Sequence, residues 1–273
     1  MRGFTHHLIY DFKTGVRDKT LMLMNYLFPI GFFLLVGLFM TKINPAFKDI
    51  MIPGMILFTI MSTTLLSLPG TMVAQRNAGI YRGFRVNGVP AGSLIVIPLL
   101  GCLFHTALAS GLITLGSLVL FDGAAPVYWG RFVLVFLLSS LALASLGTLL
   151  GIVAQSSRAS TLLAQAFYIP SVLLGGLMVP AAMMPESMTA ISSLFPATHG
   201  VRAFTSWAFT AGTVPDGAGV PVIVLAASLV INLTLSFLLF QWDTRPERKG
   251  KLFLAFFALA PFAVGMLVNL EHL

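Results

Sequence analysis

Three arginines hold most of the chemistry this chain could do. Arg76, Arg82 and Arg85 stand close together between two long apolar runs, with Gln75, Gly79 and Pro90 among them and no acidic residue from Ala74 to Gly92. A guanidinium offers a planar fork of donors suited to carboxylates and phosphates. Placed at a bilayer centre, each arginine would cost roughly 2.5 to 3.5 kcal/mol. The stretch is therefore expected to be a short basic loop outside the hydrocarbon, joining two membrane helices within reach of a soluble partner.

Other reactive types are sparse. His105 lies inside an apolar run, where an ionisable group serves as a proton relay or substrate contact, or else as a hydrogen-bonded packing residue. Asn232, in another run, has the chemistry of interhelical glue. His6 and His7 form a dipeptide without convergent ligands, and Cys102 is the single cysteine, so a cysteine cluster or an intrachain disulfide is excluded. No nucleophile, base and orienting group occur together at a recognisable spacing, and GxxxxGK[ST] is absent. The chain is not expected to be an enzyme, nor to bind ATP through such a loop.

The elements that must position these residues follow from composition. Of 273 residues, 57% are hydrophobic and only 9% charged, against about 25% charged in a soluble domain. Apolar runs reach the roughly 20 residues a spanning helix requires, rather than the alternating segments of about ten that build a barrel. The fold class is all-α, a polytopic helical membrane protein. Spans are predicted at about 20–40, 50–73, 93–121, 131–154, 161–179 and 220–241. Residues 1–19 carry Phe4, Leu8, Phe12 and Val16 on one helical face, as expected of a helix lying in the interface. The apolar stretch that follows is too long for a signal-peptide core, and no small-residue cleavage site closes it.

Residues 180–219 are too broken to span and too apolar for a solvated loop. Pro180, Pro185 and Pro196 interrupt them, and they also carry Glu186, Phe195, His199 and Trp207. Such backbone at membrane depth must be buried in protein or line a cavity, so short re-entrant helices forming an external gate are expected, the alternative being an extended extracellular loop. A basic linker at 242–251 precedes a further apolar run, 252–270, interrupted by Pro261 and expected to be a seventh span, the alternative being a hairpin that dips in and returns. Twelve of the 16 Lys and Arg, including Arg17, Lys19, Arg158, Arg248 and Lys249, fall in segments on one side of these spans. The positive-inside rule makes that side the cytoplasm, with the N-terminus on it, and reads the net charge of +7 as topology rather than nucleic-acid affinity.

This order of parts resembles the permease subunit of an ABC transporter of the type-2 exporter class, over nearly the whole chain to about residue 241. QRNAGIYRGFRVNGVP is similar to that family's basic loop after the second span. SSRASTLLAQAFYIPSVLLGGLMVPAAMMPESMTAISSLFPATHGVRAF is similar to its stretch of small-polar-Arg loop, Pro-interrupted helix, Gly-rich exit and terminal Pro-x-Thr. Where the family often has an acid after span two, Gln75 and Asn77 stand here, removing one salt bridge to the partner.

The resemblance implies a six-span permease domain over 20–241 that pairs with a second permease copy or a related permease. It also implies a dimer of cytosolic ABC ATPase subunits that acts on residues 75–89 as a coupling helix. ATP and Mg would be bound by that partner, and no cofactor by this chain. The expected location is the inner (plasma) membrane, and the expected function is ATP-driven export. An aromatic-rich interior with few charges suits amphipathic or lipid-like cargo, such as drugs, lipid-linked molecules or hydrophobic peptides. The alternative, an ion-gradient-driven secondary transporter, usually needs several polar groups near the midplane, and these spans hold almost none.

Overall fold

In a computed structural model the protein is described over residues 2–177, 184–243 and 253–271. The described residues fold as helices and connecting turns, five of the helices being long and apolar enough to cross a membrane. The chain is a multi-pass helical membrane protein. This is the expected solution, since a helix satisfies its own backbone where no water can.

The amphipathic helix α1 (Arg2–Arg17) stops at Asp18. The Asp18 carboxylate accepts from the N–H groups of Thr20 and Leu21 at 2.8 and 3.2 Å and so caps α2 (Lys19–Ile43), the first long helix. An Asn44–Pro45 turn leads to α3 (Phe47–Asn77), the longest at 31 residues and the most deeply enclosed. From Met51 to Leu65 α3 is buried throughout, so it is the axis on which the others pack. A short helix α4 (Ile80–Val86) follows, then α5 (Ser93–Leu120) and α6 (Trp129–Val153).

α2 and α3 each contain one π-helical turn, Leu23–Leu27 and Ser62–Ser67, and these two turns pack against each other. α6 lies very close to α3. A Cβ on Gly147 would sit 2.0 Å from the Thr64 carbonyl oxygen, and one on Gly151 would sit 3.1 Å from Met72 Cβ. The small-xxx-small pair thus brings two backbones together.

The fifth predicted span is displaced toward the N-terminus: α7 (Ser157–Leu174) begins four residues before the expected start and ends at Gly175, and Gly176 at φ +79° bends the chain. Residues 178–183, including Pro180, lie outside the described residues. Two short helices follow, α8 (Glu186–Ser192) and α9 (Pro196–Phe204), the latter continued by a π turn, Thr205–Phe209. α9 is inserted among α3, α6, α7 and α10 (Gly219–Leu239). Gly200 meets Leu57 there, with room for no Cβ, so α9 enters the helical core.

The last apolar run is a 3₁₀ turn (Phe253–Leu259) leading into α11 (Ala260–Glu271), packed on α10 and α8. Gly265 lies against Val224 and His199. At about 2.0 Å per 3₁₀ residue and 1.5 Å per α residue, Gly265 is about 21 Å along this run. Val224 is near the start of α10 and about 22 Å from its Leu239 end by the same rise; because the 3₁₀ turn as well as α11 packs along α10, the two elements run antiparallel. Most of the 242–251 linker lies outside the described residues.

Candidate coupling loop and buried polar sites

Arg76, Arg82 and Arg85 have three different environments. Arg76, on the last turn of α3, is 6% exposed. Its guanidinium donates to the carbonyls of Gly151 (3.3 Å), Ile152 (3.0 Å) and Ala154 at the end of α6. Those carbonyls have no partner within their own helix, and the C-terminus of a helix favours a cation. Arg76 is therefore a strut between α3 and α6, with its Nε left without a hydrogen bond. The close approach at Gly147 and Gly151 puts these carbonyls within its reach.

Beyond Arg76 the chain turns at Gly79, φ +75°, and leaves α4 through Gly88, φ +71°, conformations in which a Cβ is strained. Between them α4 holds Tyr81 buried near Phe240, with ring centroids 6.1 Å apart. Arg82 Nε lies 2.5 Å from Asp243 Oδ1. The pair is close but not aligned, and that oxygen makes no hydrogen bond. The Arg85 guanidinium stands 5.9 Å over the Trp242 ring. α4 is thus fixed to α3 at one end and to the segment after α10 along its side. Its remaining face, with Gly83, Val86 and Asn87, is exposed, Val86 at 87%. Pro90 accepts from the Ser93 N–H (3.0 Å) and hydroxyl (2.7 Å), starting α5. Gln75 faces away from this surface and lines an internal chamber.

In the 184–219 segment Pro185 precedes α8, and Phe195 precedes α9, with Pro196 at the first helical position, where its missing N–H is no loss. Phe195 is half-buried. His199 is fully buried, and its Nε2 lies 2.7 Å from the Ser193 carbonyl. Thr198 donates to the Ser192 carbonyl (2.6 Å) and Arg202 to the Ser193 hydroxyl (3.3 Å). His199 therefore ties the α8–α9 turn together and packs on Phe262 of the last helix.

Of the two intramembrane polar residues, Asn232 bonds Ser228 of its own helix at 3.0 Å, so the observed contact is intrahelical rather than the interhelical one expected. His105 is richer than the sequence indicated. Tyr26 Oη is 2.7 Å from its Nδ1, Phe12 of α1 stacks on the ring, and Asp11, Asn25 and Gln75 share its chamber. Neither Asp11 nor Tyr26 stands out along the chain as a partner for His105. The one local signal was Asn25, an isolated amide in an otherwise apolar stretch.

Residues 4–209 match the model of a family described as ABC-2 type transporter. Among curated proteins the chain is 22% identical over 232 residues to YvfS of Bacillus subtilis, which is named as a transport permease. That match covers 84% of this chain and 93% of the relative. It is 28% identical over 203 residues to YbhS of Escherichia coli K12, named as a multidrug ABC transporter permease, covering 71% of this chain and 52% of the relative. The chain thus spans about half the length of the latter. No solved structure matches.

Proposed function

Because the chain belongs to the ABC-2 type transporter family, we propose that this permease is the membrane-spanning subunit of an ATP-driven exporter, working with a separate cytosolic ATPase. Two copies, or this chain and a related permease, form the pathway across the inner membrane, with the N-terminus in the cytoplasm. The cargo is amphipathic or lipid-like. The multidrug designation of one relative and the aromatic-rich composition favour that class over highly charged solutes. Nucleotide and Mg belong to the partner.

The observation that carries this reading is the mounting of α4. Gly79 and Gly88 isolate it as a separate short helix. Arg76 joins its base to the end of α6, and Asp243 and Trp242 join its flank to the end of α10. A displacement of α4 is passed at once to three long helices, which is what rigid-body rocking between inward-open and outward-open states needs. Val86, an apolar side chain in the open beside two arginines, is the surface on which a partner would seat.

The test is assembly and substrate-stimulated ATPase activity of the reconstituted complex. Val86→Asp should impair both while insertion stays normal, and Arg82→Gln and Arg85→Gln should weaken stimulation. Wild-type assembly and stimulation in all three variants would end the coupling role of α4.

A further inference from the structure

Beneath α1 lies a half-open chamber of about 120 Å³ between that helix, α2, α3 and α5. Two carboxylates, Asp11 and Asp18, line it, and among the described residues neither lysine nor arginine does. That composition stands out in a chain with 16 Lys and Arg against 9 Asp and Glu. Asn25, only 3% exposed, also lines the chamber, and its Oδ1 has no hydrogen-bond partner. A buried acceptor left unmet costs on the order of 1–3 kcal/mol, so a donor brought to it is favoured. Asn25 sits on the π turn of α2, and Ser67, at the end of the π turn of α3, faces the same space. Such turns are frequent at functional sites.

An apolar groove of about 520 Å³ adjoins the chamber, lying between α1 and α5 and walled by Leu8, Ile9, Leu100 and Phe104, with Lys13 beside them. Chamber and groove share Asp11, Phe12 and Gly101. Gly101 makes room for the carboxylate there, since a Cβ would lie 3.2 Å from Asp11 Oδ2. The chamber is smaller than the roughly 300 Å³ of the smallest ordinary ligand sites, and the groove falls within their range. The shape is that of a polar head socket with an apolar channel beside it.

We infer that this cleft binds a single-chain amphiphilic primary amine, its ammonium held by Asp11 and Asn25 and its tail lying in the groove between α1 and α5. An ammonium has three donors and no acceptor, matching a chamber that offers carboxylate and amide oxygens. The Phe12 ring adds a π face at the junction. No residue of α4 lines the site, although Tyr81 of α4 is within electrostatic reach of Asp11, and the inference does not depend on how the permease is energised.

The test is equilibrium binding of dodecylamine to the full chain in phosphatidylcholine nanodiscs, with dodecanol and dodecyl sulfate as tail-matched probes. Dodecylamine should bind about tenfold or more tightly than either. Asp11→Asn should remove about tenfold of that affinity and Asn25→Leu a lesser part, while Asp11→Glu keeps most of it. Gly101→Val should block the junction and lower affinity as well. Equal binding of dodecanol and dodecylamine, or wild-type affinity in both Asp11→Asn and Asn25→Leu, would overturn the assignment. Displacement by phosphatidylethanolamine added to the nanodisc would also overturn it, assigning the cleft to a diacyl lipid.

Discussion

Arg76 Nη1 lies 3.0 Å from the carbonyl oxygen of Ile152, joining the last turn of α3 to the end of α6 across 76 positions of sequence. The same guanidinium reaches Gly151 and Ala154. Lysine has one nitrogen where arginine has three and cannot span these acceptors. Arg76→Lys and Arg76→Gln should therefore each destabilise the fold by about 1.5–3 kcal/mol, the worth of a charged hydrogen bond in a buried place. Unfolding of the purified chain in a denaturing detergent series would check this. Loss confined to ATPase stimulation, with stability unchanged, would remove the strut.

Arg82 and Arg85 should behave differently. The Arg82 side chain is 67% exposed in its pair with Asp243, and an exposed pair contributes about 0–1 kcal/mol. Arg82→Lys should leave stability within that margin, and a double-mutant cycle with Asp243→Asn should give a small coupling energy. For Arg85→Lys, loss of guanidinium stacking on Trp242 should cost about 0.5–1 kcal/mol. The contrast with Arg76, measured in one unfolding series, separates strut from surface.

Gly147 tests the contact that brings the strut together. Its Cβ would lie 2.0 Å from a backbone oxygen, that of Thr64, and a backbone cannot rotate aside as a side chain can. Gly147→Ala should push α6 from α3 and destabilise by about 1–3 kcal/mol, as overpacking does. Gly130→Ala, where a Cβ meets nothing within 4 Å, is the control and should be nearly silent.

Docking of α1 should depend on pH. Burial pushes the Asp11 carboxyl up from 3.8 to about 6, so the docked helix holds a proton that the free helix gives up. Docking is strongest below the ordinary carboxylate value, weakens as pH rises from about 4 to about 6, and then levels off. Hydrogen exchange of α1 amides, corrected for intrinsic rates, should show greater protection at pH 4.5 than at pH 7.5. Asp11→Asn should flatten that difference. The groups around Asp11 include Lys13, Asp18, Tyr81, Cys102 and His105. Any slope left in Asp11→Asn belongs to them.

The last helix offers a topological test. If the run ending at Glu271 crosses alongside α10, cysteines placed at the two chain ends should react with impermeant reagent from opposite sides of the membrane. Labelling of both from one side would make the run a hairpin.

What the sequence determined by itself is the set of long helices and their order. Hydropathy is a local quantity, and a backbone in hydrocarbon has to close its hydrogen bonds within the segment, so the first four spans and the sixth lie close to their predicted places. α7 was harder to bound, because Ser157 to Gln165 is mixed in polarity and the exit at Gly175 and Gly176 is set by contact with Ala197 and by backbone conformation. Arg82 and Arg85 lie on the short helix between α3 and α5, where the sequence places a loop, but Arg76 belongs to the last turn of α3 itself. The division of labour among the three was not legible, because Arg76 takes its partners from residues 151–154, and which helix ends meet is a matter of long-range packing. The same holds for His105, whose surroundings come from Asp11 and Phe12 on α1, Asn25 and Tyr26 on α2 and Gln75 on α3. No spacing along the chain encodes that neighbourhood. The packing of π turns and glycines between helices decides it.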